Sequence, residues 1–231
     1  MDIAYKSPTL NSSWKAFKAH ISTYIALYLL VFSIGIASLF INFLFIVTFS
    51  ALGDGSEAAS SVGNILGTIV TFPLSILNNL FGVLLIAVPT IYYSSEEVVS
   101  FKVIIKKVKS SFWRYILAGI FWTLAITIGF IFCIIPGIML TLITPIYVHK
   151  IFVTDLGIID SFQSSWSSLF NSGKAISFFA MTIFIGFITI TCTILTCLLG
   201  GLVFIPLSWF YIVNYSYHIG ILKHSNNLLH E

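Results

Sequence analysis

Charge is what this sequence has least of. Only 8% of its 231 residues are Asp, Glu, Lys or Arg, against about 25% in a typical soluble domain. Hydrophobic residues make up 58% of the chain. A soluble domain could not cover its surface with so few charges, and a disordered chain or a small disulfide-rich secreted domain is excluded on the same ground. The composition therefore predicts one all-α integral membrane domain over residues 1–231.

The residues of enzyme and metal chemistry are also scarce. The three cysteines, Cys133, Cys192 and Cys197, lie in apolar runs without a C-x-x-C pair, and small apolar packing residues are the expected role. The sequence has neither a P-loop nor a G-x-G-x-x-G motif, and the centres of its apolar runs carry no Asp, Glu, Lys or Arg. We therefore expect no catalytic residue, no metal and no cofactor, and the composition disfavours an ion-coupled pump. The net charge of +3 is too small to predict a nucleic-acid partner.

Long apolar runs dominate what is present. A membrane-spanning helix needs about 20 mostly apolar residues, and six such runs are found: Ile21–Phe49, Ile65–Tyr92, Phe112–Phe132, Pro136–Val153, Ala175–Leu198 and Leu202–Ile221. The first is too long for the core of a cleavable signal peptide, so we expect it in the mature protein. The connecting segments Ala51–Asn64, Cys133–Ile135 and Gly200–Gly201 would lie on one side of the membrane. The runs predict six transmembrane helices arranged as three hairpins.

The basic residues separate cleanly on this topology. All eleven lie on one side, either outside the runs or at run ends on that side: Lys6, Lys15, Lys18, Lys102, Lys106, Lys107, Lys109, Arg114, Lys150, Lys174 and Lys223. Cytoplasmic loops carry the excess of Lys and Arg. The pattern predicts a bacterial cytoplasmic (inner) membrane protein with both termini in the cytoplasm.

A threefold pattern runs along the chain. Each hairpin is preceded by a short amphipathic stretch of the kind that lies at a membrane surface, and the Ser12-Ser13-Trp14 lead-in resembles Ser164-Ser165-Trp166. The apolar faces of the three stretches are Trp14, Phe17 and Ile21; Val98, Phe101, Ile104, Ile105, Val108 and Phe112; and Ile159, Phe162, Trp166, Leu169 and Phe170. We expect repeat units over residues 9–93, 96–154 and 156–223, with coincidence in a Phe/Ile/Ser-rich chain as the alternative.

Two groups of polar residues are candidate sites. Lys102, Lys106, Lys107 and Lys109 form the densest basic patch on an amphipathic segment, which suits the headgroups of an anionic leaflet, while marking topology alone is the alternative. The amides of Asn78, Asn79 and Asn214 lie within apolar runs. They predict either helix packing or, as the sharper reading, a polar path for a substrate.

The segment after the third run carries a family resemblance. It contains Ile135-Pro136-Gly137-Ile138, then Asp155-Leu156-Gly157 and Ser164-Ser165-Trp166. This resembles the membrane domain attached to some glycerophosphoryl diester phosphodiesterases, and related uncharacterised six-helix bacterial inner-membrane proteins. The resemblance singles out Pro136, Gly137, Asp155 and Gly157 as a structural motif and implies a stand-alone membrane module. Phosphodiesterase activity in that family resides in a separate soluble barrel, so no catalytic residue carries over.

The leading functional hypothesis is a non-enzymatic multi-pass protein. It would act through contacts with membrane lipids and unidentified protein partners, in membrane or envelope homeostasis. The alternative is a transporter or permease subunit with a site near Asn78, Asn79 and Asn214. An intramembrane enzyme is the weakest reading, because acid, base and nucleophile are all missing at membrane depth.

Overall fold

The computed structural model describes residues 8–222, so Lys6 and Lys223 lie outside the described part. Between these limits the chain forms nine α-helices and no β-strand. They are α1 (Leu10–Ala19), α2 (Ile21–Leu52), α3 (Glu57–Ser95), α4 (Phe101–Ser110), α5 (Phe112–Phe132), α6 (Ile134–Val153), α7 (Ile158–Phe170), α8 (Ala175–Leu195) and α9 (Gly201–His218). The all-helical prediction is thereby confirmed for the described residues.

Five of these helices are long and apolar enough to cross a membrane: α2, α3, α5, α6 and α8. The sixth predicted run is also helical, as α9, but it is not one of the five. Its inner face carries buried polar groups, among them Asn214, Ser216 and Tyr217. A helix enclosed by protein can keep such residues because its neighbours, and not lipid, surround them.

The predicted connection over Ala51–Asn64 is wrong. Helix α2 continues to Leu52 and α3 already begins at Glu57, which leaves a turn of four residues. Asp54 and Gly55 take the left-handed backbone conformation in this turn, and the hydroxyl of Ser56 accepts the N–H of Ala59 at 3.3 Å. Residues such as Ala58 and Ala59 have high helix propensity, so the helix extends through the segment once Ser56 caps it.

The described residues divide into two units. The small unit is Tyr24–Gly82, the greater part of α2 and α3, and the main unit holds the described residues up to Thr23 and from Val83 onwards. Glycines bring α2 and α3 together in the small unit. A Cβ on Gly63 would lie 2.7 Å from the carbonyl oxygen of Phe45, and one on Gly67 would lie 3.1 Å from the Cα of Asn42. The spacing is that of a G-x-x-x-G contact, in which two helix backbones touch.

Helices α5 and α6 form the best-packed pair of the main unit, with only Cys133 between them. The indole of Trp122 stacks on the ring of Tyr147 at 4.1 Å and donates from Nε1 to Thr144 Oγ1 at 3.1 Å. The hydroxyl of Tyr147 donates in turn to the carbonyl of Ala118 at 3.2 Å. Helix α6 also contacts α7, α8 and α9, so it is the central helix of this unit.

The amphipathic helices α1 and α7 pack through small residues. Helix α1 contacts α9 and buries Ser13, Ala16 and Phe17, while α7 contacts α6 and α5 and buries Ser161, Ser165 and Leu169. Most of the apolar residues predicted to face the membrane from these helices are exposed, namely Trp14, Ile159, Trp166 and Phe170, while Phe17 and Leu169 are buried. The Ser-Ser-Trp resemblance therefore extends to burial, with the second serine enclosed and the tryptophan outside in both helices.

Candidate functional site

Helix α4 presents a row of lysines on its outer face. Lys102, Lys106 and Lys109 are all exposed, at spacings of four and three residues that place them on one side of the helix. Ile104 and Val108 are buried on the opposite side and attach α4 to the main unit. The three ammonium groups are thus free to meet a charged surface while the helix itself is held by its apolar side.

The fourth lysine of the predicted patch behaves differently. Lys107 is half-buried, and burial lowers its pKa below the ordinary value of a lysine. The nearby carboxylate of Asp155 acts in the opposite direction, and the guanidinium of Arg114 adds to the lowering. Sequence reasoning placed Lys107 with the other three because charge alone does not reveal which way a side chain turns.

Arg114 organises the linker between α6 and α7. Its Nη2 donates to the carbonyl of Thr154 at 2.8 Å and to that of Leu156 at 2.8 Å. These two carbonyls flank Asp155, so one guanidinium holds both sides of the acidic residue. The predicted motif residues Asp155 and Gly157 accordingly lie at an exposed, ordered junction, where the carbonyl of Gly157 accepts the first N–H bond of α7, from Ser161 at 2.8 Å.

The other two motif residues lie at the start of α6. Pro136 occupies the first turn, where a helix N–H has no partner in any case. Gly137 is buried, and a Cβ there would come 2.5 Å from the ring of Phe130 on α5. The Pro-Gly pair therefore serves the close approach of α5 and α6. It is 16 or more residues from the α6–α7 junction, so the structure does not bring the four motif residues into one site.

A buried histidine fixes the segment that leads into α4. His20 Nε2 accepts the N–H of Val99 at 3.0 Å, and His20 Nδ1 lies 2.7 Å from the carbonyl of Ala16. A backbone N–H can only donate and a carbonyl can only accept, so the proton of the neutral ring is on Nδ1. Burial lowers the pKa of His20, and the hydrogen bond to Ala16 partly opposes that effect. Sequence reasoning missed this residue, since a lone histidine gives no pattern.

Two aromatic rings are in contact with the ring of this histidine. The ring of His20 meets Tyr92 at 4.8 Å and Phe210 at 5.3 Å, both between ring centroids. A second histidine, His149, is buried on α6, with its Nδ1 3.4 Å from the hydroxyl of Tyr217. Edge-on and tilted contacts among the rings of Tyr92, Tyr93, Phe210 and Tyr217 connect the two histidines.

The three amides of the predicted polar path differ in surroundings. Asn214 is buried on the inner face of α9. Asn78 and Asn79 belong to the small unit, where Asn79 is exposed and the buried Oδ1 of Asn78 has no hydrogen-bond partner among the described residues. A substrate path through these amides stays a prediction. Within residues 8–222 no group of three or more His, Cys, Asp or Glu could hold a metal ion.

Comparison with known proteins assigns no family to the chain. No family model, no curated protein and no solved structure matches it. The resemblance to phosphodiesterase membrane domains therefore stays a prediction that depends on the residues quoted for it. Function has to be argued from the geometry of the amphipathic helices and of the apolar helices they accompany.

Proposed function

We propose that this chain is a six-span protein of a bacterial cytoplasmic membrane that acts without catalysis, by binding anionic lipid through its amphipathic helices. Its spans would be three hairpins, α2–α3, α5–α6 and α8–α9, with α9 as the sixth span and both termini in the cytoplasm. The single-residue link and tight contact of α5 with α6 support a hairpin there. The short turn and contact between α8 and α9 support another.

The observation that carries the proposal is the exposed row Lys102, Lys106 and Lys109 on α4. Each lysine near an anionic membrane surface contributes about 1 kcal/mol of attraction. The opposite side of the helix is anchored by Ile104 and Val108, so the row is presented by a rigid support. Lys107 is excluded from the lipid contact because it is half-buried beside Asp155.

The exposed tryptophans of α1 and α7 support the same surface. Trp14 and Trp166 stand outside the protein on helices whose serine faces are buried. Tryptophan favours the headgroup level of a bilayer, where its ring is partly apolar and its N–H remains in contact with water. The ammonium of Lys18 lies 5.8 Å from the ring of Trp14, a pairing of cation and aromatic ring that suits an anionic headgroup region.

The test compares two sets of variants on the same helix. The triple change Lys102→Gln, Lys106→Gln and Lys109→Gln is expected to weaken binding of phosphatidylglycerol by about fivefold for each lysine removed. The matched control is Lys107→Gln, which removes the same charge from the half-buried position. Native mass spectrometry of the full-length protein measures how much phosphatidylglycerol each variant retains relative to phosphatidylcholine. Equal retention by the triple variant and the unmodified protein would remove the lipid role.

A further inference from the structure

Two of the turns between apolar helices are themselves apolar and exposed. Around Cys133, which links α5 and α6, the side chains of Ile131, Phe132, Ile134 and Ile135 are between 66% and 83% exposed. In the α8–α9 turn, Leu195, Leu198 and Leu199 are between 72% and 76% exposed. No Asp, Glu, Lys or Arg occurs between Arg114 and Lys150 or between Lys174 and Lys223. Turns exposed to water are normally polar, so we expect these two turns to lie in an apolar environment.

The N–H groups of the α8–α9 turn are paired without water. Every N–H from Cys197 to Gly201 donates within the α8–α9 turn or to the last residues of α8, for example from Leu198 to the carbonyl of Thr193 at 2.8 Å. The hydroxyl of Thr196 accepts the N–H of Gly200 at 3.0 Å. In the α5–α6 turn the N–H of Cys133 donates to Gly129 at 3.0 Å, and Pro136 has no N–H to satisfy. Backbone placed in hydrocarbon requires internal pairing of the kind that the α8–α9 turn shows.

Helix length points the same way. Helices α5 and α8 have 21 residues each, which at 1.5 Å per residue gives about 32 Å. A bilayer measures about 30 Å across its hydrocarbon core and about 40–45 Å with its headgroups. Both helices begin beside a cation, Arg114 within α5 and Lys174 just before α8. With those cations at the cytoplasmic headgroups, the helices end before the headgroups of the opposite leaflet.

We propose that the α5–α6 and α8–α9 turns are immersed in the acyl chains of the outer leaflet and do not reach water. The inference relies on the six-span topology of the proposed function. The α2–α3 turn differs from them, since it carries Asp54 and Glu57 and suits the aqueous side. The partner of the two apolar tips is thus a lipid surface.

The native cysteines report on both tips. Cys133 and Cys197 are exposed in the structure, so the protein itself does not shield them. Full-length variants with Cys133 or Cys197 as the only cysteine are treated in spheroplasts with a membrane-impermeant maleimide. Two further single-cysteine variants, Ser56→Cys and Ser110→Cys, serve as references for the outer and the inner side, since both serines are exposed.

We expect Ser56→Cys to react from outside, and Cys133 and Cys197 to react about tenfold more slowly or not at all, because a thiol enclosed by acyl chains is not accessible to a reagent that stays in water. Reaction of Cys133 or Cys197 as fast as Ser56→Cys would overturn the proposal. Reaction of Ser110→Cys instead of Ser56→Cys from outside would contradict the topology of the proposed function, which is a separate failure.

A second measurement separates lipid from a covering protein. Cys133 is labelled with an environment-sensitive fluorophore after purification, and the full chain is reconstituted in vesicles of phosphatidylcholine brominated on its acyl chains. Quenching by acyl-chain bromine is the expected result, since the tip would touch those chains. Fluorescence that is unquenched in these vesicles would mean that another protein surface encloses the tip, and the lipid assignment would be wrong.

Discussion

His20 Nε2 accepts the backbone N–H of Val99 at 3.0 Å, across 79 positions of sequence. Three residues beyond His20, the hydroxyl of Thr23 donates to the carbonyl of the same valine at 2.9 Å. Both polar groups of one backbone residue are therefore held by side chains from the α1–α2 junction. Val99 directly precedes Ser100, the N-cap of α4, so this pair of bonds sets where the lysine-bearing helix begins.

The first prediction concerns pH. Burial lowers the pKa of His20 below its ordinary value of 6.5, so the unfolded chain binds a proton at a higher pH than the folded chain does. The contribution of neutral His20 to the free energy of unfolding is therefore fully present above about pH 6.5, and it is lost as the pH falls below that value. Replacing His20 by Gln should reduce the slope of the free energy of unfolding against pH, by at most about 1.4 kcal/mol per pH unit.

Thermal unfolding in detergent at a series of pH values measures this slope. His218 is exposed near the end of α9, and His218→Gln is the control expected to leave the slope unchanged. If His20→Gln and His218→Gln gave the same slope, protonation of His20 would not be coupled to the hydrogen bond that it accepts from Val99.

The second prediction tests the contact between α5 and α6. A Cβ on Gly129 would lie 3.1 Å from the Cα and N of Gly137, and backbone atoms at that distance can separate only if the helices do. Gly129→Ala should destabilise the protein by about 1–3 kcal/mol. Gly119→Ala on the same helix meets nothing within 4 Å, and the better helix propensity of alanine should make it neutral or stabilising by about 1 kcal/mol. Denaturation in SDS titrations compares the two, and equal effects would exclude the close contact.

The third prediction concerns the linker held by Arg114. Arg114→Gln removes the donor shared by Thr154 and Leu156. We expect a loss of about 1.5 kcal/mol, the lower end for bonds to a charged donor, because the site is partly exposed. Cleavage at the α6–α7 linker in limited proteolysis should also speed up. Lys109→Gln removes an exposed charge nearby and is the control; an equally slow cleavage in both variants would show that Arg114 does not order the linker.

The fourth prediction tests the serine face of α7. Ser165 is buried, and its hydroxyl donates to the carbonyl of Ser161 at 2.6 Å. Ser165→Leu adds volume where α7 contacts α6 and should lower stability by about 1–3 kcal/mol. Ser167 is exposed on the same helix, so Ser167→Leu should be nearly neutral. Melting temperatures in detergent measure both, and a harmless Ser165→Leu would contradict the assignment of the packed face.

The lengths of the apolar runs and the spacing of apolar residues were sufficient to predict where the helices lie. The limits expected for α5, Phe112–Phe132, match the structure, and the amphipathic stretches became α1, α4 and α7. The error lay at the first turn, where small residues such as Ala58 and Ser60 were taken for a loop although they continue α3. Hydropathy falls there, but a helix that is capped at its start can continue beyond a membrane in water.

The candidate site was predictable only in part. Four lysines on one short segment are visible in the sequence, yet three of them are exposed and Lys107 is half-buried. The G-x-x-x-G spacing of Gly63 and Gly67 was available as a signal for the α2–α3 contact. His20 carried no such signal, because its role depends on Val99, which is distant in sequence and has no distinctive side chain.

The composition of the chain dictates that its helices belong in a bilayer, since apolar segments of this length have no other stable solvent. It does not dictate which side of each helix meets protein. Lipid and protein interior are equally apolar, so hydrophobicity cannot distinguish the exposed Trp14 and Trp166 from a core face. The packed side of each helix is instead the side with small residues, because only these let two backbones approach closely. Ser13 on α1 and Ser165 on α7 lie on that side, which only the tertiary structure reveals.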